Sequence, residues 1–249
     1  MGLVAGGAYA ERVTAHEDTV LAVPDGWSFD DAGAVPEVFL TAYDALIRQS
    51  ALAAGERVLI HAVGSGVGTA ALQIAKAFGA TVIGTSRSAA KLKRAQPLGL
   101  DVAVDTSRER FGDAVARETG GRGVDVALDL IGGPLFGETL GALAPQGRLI
   151  LVGLTAGRSA EVDLGVVLNQ RLTITGTTLR SRPLAEKAAL TAAFARDILP
   201  LFAAGTLRPV VDRAFPMAAA AEAHRRMEAD AHFGKLVLNW REPAGRGIM

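Results

Sequence analysis

The sequence predicts an α/β fold with a doubly wound, six-stranded parallel sheet. Three observations predict it. Short β-branched runs alternate with longer amphipathic stretches from residue 58 to about 177. Glycine or Pro-Gly punctuation stands where each amphipathic stretch should stop. The first apolar run leads straight into a glycine-rich turn and then into a helix-patterned segment.

The elements follow in order. Arg57–Ala62 reads as a buried strand, and Gly68–Phe78 as the helix behind the glycine turn, with Ala71, Leu72, Ile74 and Ala75 at helical spacing. Thr81–Thr85, Val102–Val104, Val124–Leu130, Arg148–Val152 and Leu172–Gly176 supply five more strands. Helices are expected at Ala89–Leu98, Phe111–Thr119, Pro134–Leu143 and around Leu164–Asn169. Strands separated by helices wind into a parallel sheet with right-handed crossovers. Beyond residue 177 the rhythm changes. Ala185–Ala204 reads as one long helix, and Leu207–Val211 and Lys235–Trp240 as strands around a helix at Ala218–Met227. Ahead of the sheet, Ala8–Val23 reads as two short strands ending at Pro24-Asp25-Gly26, too little to form a core alone.

Composition narrows the function classes. Of 249 residues 49% are apolar, enough for a filled core. Twenty-six basic and 26 acidic side chains cancel, so no basic field is present to hold nucleic acid or an anionic membrane. The sequence has no cysteine, which excludes disulfides and thiolate metal ligands from this chain. Its four histidines, His16, His61, His224 and His232, lack ligand spacing, so no metal site is expected. The apolar opening has no basic flank and is interrupted by Glu11 and Arg12, unlike a signal peptide, and no 18-residue apolar run occurs. A soluble cytoplasmic protein is expected.

The glycine turn carries the chemistry. Gly64, Ser65, Gly66, Val67 and Gly68 join strand to helix, where unpaired N–H groups and a partial positive charge suit a phosphate. Glycines there remove the Cβ atoms that would hold a pyrophosphate off the backbone. The G-x-G-x-x-G spacing is not met cleanly, because Thr69 takes the third slot counted from Gly64. A purely structural turn is the alternative. A dinucleotide site preferring NAD usually carries Asp or Glu at the end of the second strand, for the ribose 2′-OH. Here that strand ends Thr85-Ser86-Arg87-Ser88 with Lys91 beyond, a set of hydroxyls and cations suited to a 2′-phosphate and therefore to NADPH. The bland reading makes Arg87 and Lys91 solvated surface residues.

Several segments in order resemble one family. They are Val35-Pro36-Glu37-Val38-Phe39-Leu40-Thr41-Ala42-Tyr43-Asp44-Ala45-Leu46, the glycine turn, residues 121–129, residues 172–180, Ala221-Glu222-Ala223-His224 and Gly234-Lys235-Leu236-Val237-Leu238. From Gly6 to Leu238 the chain resembles the zinc-independent quinone oxidoreductases of the medium-chain dehydrogenase/reductase superfamily, the group of zeta-crystallin and the p53-inducible quinone oxidoreductase. The resemblance implies a Rossmann sheet at 37–177, a remnant of a β-rich, GroES-like catalytic domain at 1–36, and a segment returning to that domain at 178–249. It implies that Thr41 meets the nicotinamide and Ser65–Gly68 the pyrophosphate, with Ser86, Arg87 and Lys91 at the adenosine phosphate. Gly153, Leu154, Thr178 and Leu179 would line the nicotinamide pocket, and strand 172–177 would pair with its copy in a homodimer. The family's Asn-Tyr pair after the third strand is replaced by Asp105-Thr106, and the section expected before Gly6 is not in this sequence, so the chain reads as an N-terminally truncated member or as one with a misplaced start.

The implied activity is NADPH-dependent reduction of a quinone or an α,β-unsaturated carbonyl by hydride transfer. The alternative is an NADPH-binding, catalytically impaired remnant acting as a binding or interaction protein. No catalytic acid identifies itself. Tyr43 is a donor or a core residue, and Glu37 a capping or junction residue. His61 reads as a packed strand residue. Arg180 and Arg182 either steer a polar substrate or cap the sheet edge, and Lys235 either supports phosphates or lies on the surface.

Overall fold

The computed structural model describes residues 1–240. Its centre is a six-stranded, wholly parallel sheet of order β3-β2-β1-β4-β5-β6, formed by β1 (Arg57–Ile60), β2 (Thr81–Ser86), β3 (Val102–Asp105), β4 (Val124–Asp129), β5 (Leu143–Leu151) and β6 (Thr173–Gly176). The order reverses between β2-β1 and β1-β4, so a crevice opens at the carboxyl ends of those strands.

Residue alternation explains why both faces are covered. Val58 and Ile60 of β1 join one core layer and Leu59 the other; Val82 and Ile83 of β2 divide the same way. The first layer packs α2 (Pro36–Tyr43), α3 (Gly66–Ala77), α4 (Ala89–Ala95), α8 (Leu184–Asp197) and α9 (Leu199–Ala203) on the sheet. The second uses α5 (Phe111–Thr119), α6 (Phe136–Gly141) and α7 (Leu164–Gln170). Phe39 meets Phe202 edge to face at 4.8 Å between ring centres, and Trp27 meets the same ring at 5.2 Å, which fastens the junction helix to the C-terminal part of the chain.

Four local expectations are corrected. The Ala8–Val23 segment contains no strand. Its Val20 makes a single antiparallel bridge to Gly2, and one short 3-10 turn covers Glu17–Thr19, because an extended segment without a continuous partner has no ladder to join. The long helix over 185–204 is two helices, since Pro200 cannot donate within a continuous helix and Ile198 takes φ −113° between them. The strand expected at Leu207–Val211 is instead β7 (Val211–Pro216), which pairs in parallel with β8 (Lys235–Asn239); Pro209 interrupts the earlier window. The helix expected at Pro134–Leu143 shortens to α6, and β5 starts at Leu143, five residues ahead of the expected Arg148. Helices α1 (Phe29–Gly33) and α10 (Ala220–Glu228) complete the set.

Candidate functional site

At the crevice lies a cavity of about 620 Å³. The turn after β1 forms one wall. Ser65 caps α3, its hydroxyl accepting the Gly68 N–H at 3.0 Å while its carbonyl accepts from Thr69 at 2.9 Å. Gly66 and Val67 then begin a 12-residue helix, with N–H groups that have no partner inside that helix. Ser65, Gly66 and Val67 line the cavity beside Ala62.

Glycine is required here for two different reasons. A Cβ on Gly68 would fall 2.4 Å from the Ala62 carbonyl oxygen, so this residue lets α3 pack against the end of β1. A Cβ on Gly66 would fall 2.7 Å from Lys235 Cδ and 2.9 Å from Val38, so this residue clears the cavity wall. Gly64 packs under the Lys91 stem and its carbonyl accepts the Gly234 N–H at 2.9 Å, tying the turn to β8.

The opposite wall combines Thr41 of α2, Val152 and Gly153 after β5, and Thr177, Thr178, Leu179 and Arg180 after β6. Thr41 is held by its hydroxyl donating to the Glu37 carbonyl at 2.6 Å. Thr177 is fixed by a buried polar network. Asp44, 3% exposed, accepts from Arg182 at 2.6 and 3.1 Å, from Gln49 at 2.5 Å and from Thr177 at 3.0 Å. A π-helical turn over Asp44–Gln49 brings these two residues, five apart, onto one face, and so makes the Gln49–Asp44 bond possible. The Asp44 bond holds Arg182 as a cation, raising its pKa despite burial. Arg182 therefore locks the sheet edge, and the substrate-steering alternative is not needed for it.

Seven of the thirteen residues assigned to the cofactor from sequence meet at this cavity: Thr41, Ser65, Gly66, Val67, Gly153, Thr178 and Leu179. The others lie elsewhere. Gly64 and Gly68 pack behind the turn, and Leu154 is 43% exposed. Ser86 accepts the Ser88 N–H at 3.1 Å, and Ser88 caps α4. Arg87 and Lys91 both pair with Asp230, at 3.4 and 2.5 Å. Burial works against the Asp230 carboxylate, but the Lys91 bond and the charges of Lys91, Arg87 and His232 outweigh it and hold its pKa low.

Lys235, read from sequence as either supporting phosphates or lying on the surface, lines the cavity, lies over Gly66 and pairs with Glu37 at 3.0 Å. Sequence reasoning missed two features around this cavity. His232 also lines it, and burial followed by the Lys91 charge lowers its pKa. Asp230 lies 139 residues from Lys91, so no local pattern links the two. Tyr43 is a core residue: it is 1% exposed and donates its hydroxyl to Asp197 at 2.5 Å. Burial, then that bond, raises its pKa. His61 is likewise buried, at 1% exposure, between the hydroxyls of Thr85 and Thr139, both at 3.0 Å. Burial lowers its pKa and keeps it neutral.

A reversal of strand order, a glycine turn into a helix and a cavity at the carboxyl ends of the strands define the class: a doubly wound α/β domain of the dinucleotide-binding type. The zinc-binding dehydrogenase family model matches residues 66–195, and the chain belongs to this family, within the medium-chain dehydrogenase/reductase superfamily. A quinone oxidoreductase of Pseudomonas aeruginosa is 34% identical over 93% of this chain and 71% of its own length. A spectinabilin polyketide synthase system protein of Streptomyces orinoci is 38% identical over 95% of this chain, which spans only 10% of that protein. Among solved structures, the mycobacterial Rv1454c in complex with NADPH superimposes with a TM-score of 0.85 at 30% identity, covering 93% of this chain and 71% of that one. An NAD-dependent alcohol dehydrogenase gives 0.82 at 37% identity, covering 94% and 66%. Among the described residues no group of three metal-ligating side chains occurs, and no helix is long and apolar enough to cross a membrane.

Proposed function

We propose that the chain is the cofactor-binding part of an NADPH-dependent oxidoreductase that reduces a quinone or an α,β-unsaturated carbonyl. The observation that carries this reading is the convergence of Thr41, Ser65–Val67, Gly153 and Thr178–Leu179 on one cavity. The donor set fits the group. Free N–H groups at the start of α3 suit a pyrophosphate, and an apolar wall of Val38, Val152 and Leu179 suits a planar ring. Bound NADPH supplies the hydride for such a reduction.

The chain's own residues bind and orient. Ser65 shapes the turn, Thr41 and Thr178 offer hydroxyls along the ring wall, and the Asp44–Arg182 network keeps Thr177 and its neighbours in place. Arg87 and Lys91 stand at the end of β2 as partners for a 2′-phosphate. With Tyr43 turned to Asp197 and no thiolate in the chain, the reading assigns neither a proton donor nor a zinc ion to these residues. The parts at 1–36 and 178–249 would belong with a catalytic domain, and the setting would be cytoplasmic. A homodimer through β6 is supported by its edge, unpaired among the described residues, with Ile174 42% exposed, and by Leu164 and Leu168 of α7 at 75% and 77%.

Purified chain titrated with NADPH, then mixed with a panel of quinones and enals while absorbance at 340 nm is followed, tests the reading. Binding with oxidation supports it. Binding without oxidation supports a binding or interaction protein, and no binding removes both.

A further inference from the structure

Arg87 and Lys91 are already engaged by a carboxylate. Lys91 Nζ lies 2.5 Å from one oxygen of Asp230, and Arg87 lies 3.4 Å from the other. Of the three, Lys91 is the firmly held one, while the Arg87 and Asp230 side chains are 80% and 57% exposed. The Lys91 stem packs over Gly64, where an added Cβ would fall 3.0 Å from it, and the Lys91 side chain is only 14% exposed. Asp230 terminates α10 in the left-handed region, at φ +52°, with its N–H donating to the Met227 carbonyl at 2.9 Å. Aspartate and asparagine tolerate that conformation better than other side chains with a Cβ. Two residues on, His232 lines the cavity.

We propose that Asp230 is a specificity-determining residue whose carboxylate holds the anion position between Lys91 and Arg87 and so weakens selection for a 2′-phosphate. The inference rests on the reading of those two cations as the 2′-phosphate partners. Its physics is charge balance. Two cations facing a phosphate dianion are a matched set, but two cations and a carboxylate leave one net positive charge for it. A 2′-phosphate must displace the carboxylate from Lys91 or share the cation with it, and sharing sets two anions close together. A free 2′-hydroxyl meets no such conflict. The chain therefore accepts NADH alongside NADPH, with a smaller preference than its cations alone would give.

The test titrates wild type and Asp230→Asn calorimetrically with four probes: NADPH, NADH, adenosine 2′,5′-bisphosphate and 5′-AMP. Asparagine keeps the shape and the backbone conformation, and thermal melts of both proteins check folding. The expected result is a gain of about fivefold or more in affinity for NADPH and adenosine 2′,5′-bisphosphate, with NADH and 5′-AMP within about twofold. Unchanged or weaker binding of the 2′-phosphorylated probes overturns the proposal. Lys91→Ala separates the two layers of the argument. If it weakens adenosine 2′,5′-bisphosphate binding while Asp230→Asn changes nothing, only the proposal fails. If it leaves that binding unchanged, the cation-pair reading fails and the proposal with it.

Discussion

Replacing Arg182 by alanine tests how the ring wall of the cavity is held. Asp44 is buried, its side chain 4% exposed, and the Arg182 side chain is 17% exposed. The guanidinium donates twice to the carboxylate, at 2.6 and 3.1 Å, and once to the Thr177 hydroxyl at 2.7 Å. Among the described residues, truncation leaves Asp44 with Gln49 and Thr177 as its side-chain partners. An exposed pair would be worth at most about 1 kcal/mol, whereas breaking a buried one costs about 3–5 kcal/mol. Arg182 keeps some solvent contact, so the lower end applies, about 3 kcal/mol. For a chain of this size that lowers Tm by about 6–12 °C. Urea unfolding should show the loss with an unchanged slope. A cycle with Asp44→Asn should show that the double variant loses much less than the two single losses added together. NADPH affinity should fall as well, because Thr177 leads into the cavity-lining Thr178 and Leu179. A loss under about 1 kcal/mol, or strict additivity in the cycle, would refute the reasoning.

Three further predictions follow from the same geometry. Arg87→Asp with Lys91→Ala should weaken NADPH binding about tenfold or more and NADH binding much less; equal losses in a fluorescence titration would remove the 2′-phosphate assignment. Gly68→Ala should cost about 3 kcal/mol or prevent soluble expression, because its Cβ would overlap the Ala62 carbonyl oxygen; Gly6→Ala, whose Cβ meets nothing within 4 Å among the described residues, is the control that should melt like wild type. Stability should fall as pH drops below the ordinary histidine value of 6.5, since His61 is buried neutral and protonates more readily when unfolded; its contribution is complete above that pH and declines as the pH falls further. Thermal melts of His61→Asn over that range should show a shallower decline than wild type, and an identical decline would show that His61 does not contribute.

The parallel sheet was legible because its signals are local. β1, β2, β4 and β6 lie within a residue or two of the runs that predicted them, and α5 matches Phe111–Thr119. The misreadings have two causes. Ala8–Val23 has a strand-like composition, but a strand exists only with a partner, and partner choice is not written in local periodicity. The break at Pro200 was local and readable, but the apolar stripe through Leu190, Phe194 and Ile198 argued for continuity.

The cofactor site divides in the same way. The turn Gly64–Gly68 and the segment after β2, with Arg87 and Lys91 and no carboxylate, are close in the chain, so sequence by itself determined the α/β domain and led to the NADPH proposal. Only the tertiary structure decided what those cations meet. It brought Asp230 to Lys91 across 139 residues, set Lys235 over Gly66, and assigned Tyr43 to Asp197 and the core. The physical reason is that charge acts through space. The end of a strand and the end of a distant helix share one field once the sheet has folded, and no spacing along the chain records that distance.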